Sequence, residues 1–287
     1  MKAQSPSLYA DVEFLTELRP FRNYQNLEVL KKVCDYLKDA FAQAGYKSTE
    51  QKWLAEGEIY KNIIASYQPE KSRRLIIGAH YDVCGDQPGA DDNASAVAGL
   101  LETARLIAEN QPDIDYRIDF VAYCLEEPPF FGSDKMGSYI HAESLRIDQV
   151  DVLGMVCYEM IGYFSDEPYS QSFPFQELAK LYPSTGNFII VVGNDEHHEF
   201  GEKVFKLMQN GSEVGVERII LPSGSELAGL SDHRNYWEFG YPAVMVNDTS
   251  FLRNPNYHMK SDTIDTLDFE KMSMVVDSTY RAIIHLG

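Results

Sequence analysis

The residues of this chain that could do chemistry gather in a few short strings. In LIIGAHYDV, an apolar β-branched run (Leu75, Ile76, Ile77) leads to His80 and Asp82. A neutral imidazole is a good zinc ligand, and its second ring nitrogen needs an acceptor to fix the tautomer. Asp82, two residues on and on the same side of an extended strand, can supply it. Taken alone, a histidine at a strand end is more often a structural residue. Next comes GADDNAS, where Asp91, Asp92 and Asn93 open a helical pattern. A short loop there can set the Asp92 carboxylate between two cations, although the same residues also serve as helix caps. Gly89 and Ala90 leave room for close backbone approach. Glu126 and Glu127 follow the run IDFVAYCL. Two glutamates at the end of a buried strand are costly unless something positive meets them. Neighbouring side chains point differently, so one suits a metal and the other a general base toward water. A solvated loop pair is the bland alternative, and the apolar flanks Leu125 and PPFFG argue against it. Glu159 ends the apolar run VLGMVCY, and His258 stands in NPNYHMKSDTIDTLDFE.

His80, Asp92, Glu127, Glu159 and His258 are too many donors for one catalytic zinc, which takes three protein ligands and a water. They suit two cations that share one carboxylate. Ser231, Asp232 and His233 form a further polar knot. Three adjacent residues cannot converge as a Ser-His-Asp triad, so they read as support for the metal site or as substrate-facing. His197 and His198 read as solvated.

Positioning these residues requires an ordered α/β frame. The chain has 287 residues, 44% of them hydrophobic, enough to bury a sizeable core. Strand-like runs at 62–67, 75–81, 117–124, 152–160, 188–192, 218–221 and 243–247 alternate with helical patterns at 26–44, 93–109, 199–209 and 268–285. Several of these strands are near-continuously apolar, as expected when both faces are covered. The alternation predicts one three-layer α/β/α domain over residues 1–287, with a central mixed, mostly parallel sheet. Residues 163–187, rich in Pro, Ser and aromatics, read as an irregular insertion near the site. In open α/β sheets ligands bind beyond the carboxyl ends of the strands, where all of these motifs fall.

Net charge is −19. Such a surface repels phosphate backbones, so nucleic acid is excluded as a partner. The cysteines Cys34, Cys84, Cys124 and Cys157 form no CxxC pair and no disulfide framework. Cys124 and Cys157 lie in apolar runs as buried thiols; Cys84 falls near the proposed site. The opening MKAQSPSLYADVEF has no apolar signal core, and no stretch is apolar and long enough to span a bilayer. The expectation is a soluble protein, cytoplasmic as it stands or exported if a signal was removed.

In order and spacing, HYD, GADDNASA, EE, EMIG and YHMKSDTIDTLD make the chain resemble the di-zinc aminopeptidases and exopeptidases, which include bacterial leucyl aminopeptidases and glutamate carboxypeptidase. The resemblance covers roughly residues 12–285. It implies a zinc-exopeptidase fold holding two zinc ions, with Asp92 bridging, His80 and Glu159 on one ion, and Glu127 and His258 on the other. It implies Glu126 as general base, Asp82 orienting His80, and a cis Asp92–Asn93 bond. Tyr257 is an oxyanion donor on this reading, and the substrate is a peptide whose free N-terminus is held by carboxylates. Phe130, Phe131, Tyr163, Phe164 and Tyr236 are expected to line an apolar side-chain pocket. Glu159 stands where the family usually has Asp, Ala96 replaces a usual Gly, and the segment after the EE pair is longer than in the simplest relatives. Two alternatives stay open. Glutaminyl cyclases, more distant relatives, use one zinc but depart from DNAS, which this chain keeps. Non-catalytic members of the fold lose ligands, and here all five positions keep one.

Overall fold

The computed structural model describes residues 2–287. Eight strands form one sheet: β1 (Ser48–Ala55), β2 (Glu58–Tyr67), β3 (Arg74–His80), β4 (Arg117–Tyr123), β5 (Val152–Glu159), β6 (Phe188–Asn194), β7 (Gly215–Leu221) and β8 (Ala243–Asn247). Their spatial order is β1-β2-β4-β3-β5-β8-β6-β7. The central four, β4, β3, β5 and β8, run parallel to one another. Direction reverses on both sides, at β2 against β4 and at β6 against β8. The carboxyl ends of four adjacent strands therefore open on one edge of the sheet. β3 and β5 are almost wholly buried, which is why they read as continuous apolar runs and not as alternation.

Among the described residues seven α-helices complete the layers: α1 (Ser5–Glu17), α2 (Leu27–Gln43), α3 (Ala96–Asn110), α4 (Gly137–Ile147), α5 (His198–Gln209), α6 (His233–Glu238) and α7 (Phe269–Ile283). Helices α1, α2, α3, α5 and α7 share one apolar core, which includes Leu8, Phe41, Val97, Phe120 and Val276. Helices α4 and α6 cover part of the opposite face through Ala142, Leu145 and Tyr236. The expected three layers are present. Helix α2 stops at Gly45, whose φ of +88° suits the left-handed stop after a helix. At α7 the Asp268 carboxylate accepts the Lys271 amide at 2.9 Å, a side-chain cap.

The sequence patterns missed β1, α1, α4 and α6. Strand β1 is an edge strand with only Trp53 and Ala55 buried, so its alternation is faint. Among the described residues no helix is long and apolar enough to cross a membrane.

Candidate active site

All eight residues singled out from the sequence converge at the carboxyl edge of β3, β4 and β5. His80 is the last residue of β3, Glu159 the last of β5, and Glu126–Glu127 follow β4. The segment Ala90–Ser95 is an irregular helical turn interrupted by extended dihedrals at Asp92 (φ −101°, ψ 91°), and it leads into α3. The Asp92–Asn93 peptide is cis, as expected. His258 enters from the loop before α7 with φ +57°, while Leu125 and Met160, beside the glutamates, also take positive φ. Three left-handed non-glycine residues around one site mark a backbone held in place by its surroundings.

The Asp92 carboxylate divides between the two histidines. Its Oδ1 lies 3.5 Å from His80 Nε2, and its Oδ2 lies 3.1 Å from His258 Nε2. Glu159 Oε2 stands 3.3 Å from His80 Nε2, and Glu127 Oε2 stands 3.3 Å from His258 Nε2. Glu126 Oε2 is 3.6 Å from His80 Nε2. The paired glutamates thus point at different histidines, as their adjacency in sequence predicts.

Burial leaves this cluster short of partners. His80 Nδ1, Glu127 Oε1 and His258 Nε2 are buried atoms that complete no hydrogen bond. Burial, then the charge of Asp92, pushes Glu127 up to about 8, against the opposing pull of His258. Burial drives Glu126 well above the usual carboxylate range, and the charges of Glu159, Glu127 and Asp232 add to it against the pull of His80. Burial would lower both histidines. At His80 the charges of Glu159 and Glu126 outweigh it; at His258 the carboxylates of Asp92 and Glu127 raise the ring to about 10. A desolvated excess of negative charge with unpaired donors aimed inward is what a divalent cation would relieve. Three clusters bring donor atoms within 4.8 Å of one another: His80 with Asp92 and Glu127, His80 with Glu126 and Glu159, and Cys84 with Glu127 and His258. These residues fit cation binding.

Neighbouring groups hold the donors in place. Asp82 lies with its Oδ1 3.6 Å from His80 Nδ1, just beyond hydrogen-bond length. Its two oxygens instead accept the amides of Glu126 (3.3 Å) and Glu127 (3.1 Å). Ser231 donates to Glu159 Oε2 at 2.5 Å, and Asn93 Nδ2 approaches the same atom at 3.3 Å. Ser231 is therefore a support of the longer glutamate. Asp232 is fully buried with both oxygens unpartnered, and His233 Nε2 donates to Ala228 O at 2.6 Å. Both lie inside the protein, not facing substrate. His198 is exposed and His197 half-buried.

Two further supports were given no role from the sequence, Asp262 lying in the motif after His258 and Arg22 outside every motif. Asp262, in SDTID, accepts the amides of Asp91 at 2.9 Å and Asp92 at 3.1 Å, fixing the Asp92 backbone from behind. Arg22 is fully buried and donates to four main-chain carbonyls: Tyr81 at 2.9 Å, Leu15 at 3.2 Å, Gly89 at 2.6 Å and Pro88. Gly89, at φ +61°, could carry no side chain: a Cβ would sit 2.3 Å from Asp92 O. Nothing in the string RPFRNY distinguishes Arg22 from a surface arginine; only the fold encloses it.

A cavity of about 280 Å³ opens beside the cluster. Its floor is the apolar face of β8, β6 and β7 (Met245, Phe188, Ile190, Val192, Ile219, Leu221). The 163–187 segment walls it with Phe173, Phe175 and Tyr182. Phe131 lines it as expected, but Phe130, Tyr163, Phe164 and Tyr236 do not. Phe130 packs in the core at 5.3 Å from Tyr24, and Phe164 lies against Arg253 and Lys271. Tyr163 is half-buried and accepts Arg253 at its carbonyl. Tyr236 is fully buried, its hydroxyl 2.6 Å from both the Tyr123 hydroxyl and His141 Nδ1. Tyr257 does line the cavity, its ring stacked on His258 at 3.8 Å. Burial, then the charges of Asp92 and the glutamates, holds its hydroxyl protonated.

A family model for peptidase family M28 matches residues 62–283. The chain is 41% identical over 283 residues to the uncharacterized protein YfbL of Escherichia coli, covering 96% of this chain and 86% of that one. It is 27% identical over 223 residues to leucine aminopeptidase 1 of Blastomyces gilchristii, covering 74% of this chain and only 52% of that longer protein. Among solved structures, the LapA aminopeptidase of Legionella pneumophila aligns with a TM-score of 0.77 at 22% identity, over 98% of this chain and 72% of that one. The glutaminyl cyclase of Bacteroides thetaiotaomicron aligns with 0.75 at 20%, over 99% of each. At such identities the two structures speak for the fold alone.

Proposed function

The chain belongs to peptidase family M28, and from that membership we propose that it is a zinc-dependent aminopeptidase acting on peptides with an apolar N-terminal residue. The observation that carries this reading is the Asp92 carboxylate divided between two histidines, each with its own glutamate. His80, Asp92 and Glu159 would hold one ion, and His258, Glu127 and Asp92 the other. The bound ions supply Lewis acidity toward a water and the substrate carbonyl.

The chain's own residues do the rest. Glu126, kept basic enough by burial and its carboxylate neighbours, takes the proton of the attacking water and returns it to the leaving amine. Tyr257 donates its hydroxyl to the oxygen on which charge develops. The cavity is lined by Asp92, Glu126, Glu127 and Glu159, and among the described residues by no lysine or arginine. A substrate ammonium finds carboxylate partners there, and an α-carboxylate finds no lysine or arginine, which favours amino- over carboxypeptidase action. The apolar floor takes the first side chain.

The test is a cation count and an aminoacyl-amide panel on the wild type and Glu126→Gln. Two zinc ions per chain and hydrolysis of leucyl or phenylalanyl amides are expected. Glu126→Gln should keep both ions and lose roughly 10²–10⁴ in kcat. One ion per chain with turnover of N-terminal glutamine instead would assign a glutaminyl cyclase.

A further inference from the structure

We propose that Cys84 is a thiolate ligand of the second cation site, alongside Glu127 and His258; this rests on the two-cation reading above. The ligand atoms of these three residues lie within 4.8 Å of one another. Bonds of about 2.0–2.3 Å around a tetrahedral zinc set donors about 3.5 Å apart, so a small closure brings all three onto one ion. Two further observations point inward at the same place. Glu127 Oε1 is buried without a hydrogen-bond partner, and so is His258 Nε2.

The loop that carries Cys84 is held from both sides. Asn23 Nδ2 donates to Gly85 O at 2.8 Å, and Arg22 grips Tyr81, Pro88 and Gly89. The thiol is therefore presented by a fixed backbone and not by a swinging loop. Cys34, Cys124 and Cys157 are buried, so among the described residues Cys84 is the one thiol open to solvent. Ligation forms a metal–sulfur bond and releases the thiol proton to solvent. A sulfur donor beside one imidazole and one carboxylate shifts this site toward thiophilic ions, zinc, cobalt and cadmium, and away from magnesium and manganese.

Cobalt(II) titration of chelator-stripped protein tests this. Two equivalents should bind with visible d–d bands, and a thiolate-to-cobalt charge-transfer band should grow in the near ultraviolet. Cys84→Ser should keep the d–d bands, lose the charge-transfer band, and weaken the second equivalent by at least roughly tenfold, the loss seen when even an outer partner of a ligand is removed. In wild type, iodoacetamide alkylation of Cys84, located by peptide mass, should slow in step with that band. This readout stands even if Cys84→Ser folds poorly. Two bound cobalt ions with no charge-transfer band would overturn the role of Cys84 and leave the two-cation reading intact. One bound ion, or none, would overturn the two-cation reading as well.

Discussion

Arg22→Met removes a buried cation and leaves an apolar chain of similar length. Arg22 forms no ion pair at contact distance among the described residues. Burial lowers its guanidinium to about 10, while the fields of Asp262, Asp92, Asp82 and Glu127 keep it charged. Its work is done through the carbonyls of Tyr81, Leu15, Pro88 and Gly89. Gly89 O also receives the Ala94 amide at 3.1 Å and is not orphaned. The other three lose this donor, at about 1–3 kcal/mol for each buried group left unpaired. Relief of the buried charge offsets part of that, as does residual solvation, so a net loss of about 3–5 kcal/mol is expected, the range for breaking a buried charged network. At roughly 2–4 °C per kcal/mol, Tm of the zinc-loaded protein should fall by roughly 6–20 °C in calorimetry. Arg22→Lys keeps the charge without the planar fork and should fall between the two. A methionine variant that melts within about 2 °C of wild type would refute the claim that this side chain holds the Asp92 loop.

Further outcomes follow from the same geometry. Asp262→Ala removes the acceptor behind Asp91 and Asp92 and should weaken zinc binding roughly 10- to 100-fold, read by competition with a metal indicator. Val192→Phe fills the cavity floor and should lower kcat/KM for phenylalanyl relative to alanyl amides by roughly 10- to 200-fold. Burial pushes His141 down to about 4, while the unfolded chain titrates near 6.5. Between these values the unfolded state binds the extra proton, so His141 contributes stability in full above about pH 6.5 and loses it as pH falls toward 4, by up to about 3 kcal/mol. Urea midpoints of His141→Gln should therefore vary less with pH across that window than those of wild type. Equal slopes would exclude a neutral buried imidazole.

Much of the site was legible because charge in an apolar run is conspicuous. Glu159 after VLGMVCY and the EE pair after IDFVAYCL stand out against sequence that must be buried, and the α/β alternation puts both at strand ends. His258 was legible only through its order among the other motifs. The cavity walls were not, because an aromatic residue near a motif is equally able to pack into the core, as Phe130 and Tyr236 do. Their destination depends on which face of which element turns inward, and local sequence around them is the same either way.

The sequence by itself determined which residues are candidate donors, their chemical types and the strands whose ends lead to His80, Glu127 and Glu159. Local pattern sets which runs must be buried, and burial makes charges meaningful. The family resemblance implied how those donors pair, but only the tertiary structure supplies the geometry that brings them together. The parallel register of β4, β3 and β5 brings their ends together, and Asp92 reaches His80 and His258 on opposite oxygens although His258 lies 166 positions further along the chain. The fold alone likewise turned Arg22, Asp262 and Ser231 inward and set Cys84 beside Glu127. Long-range contacts of this kind arise where elements pack, and no local propensity encodes them.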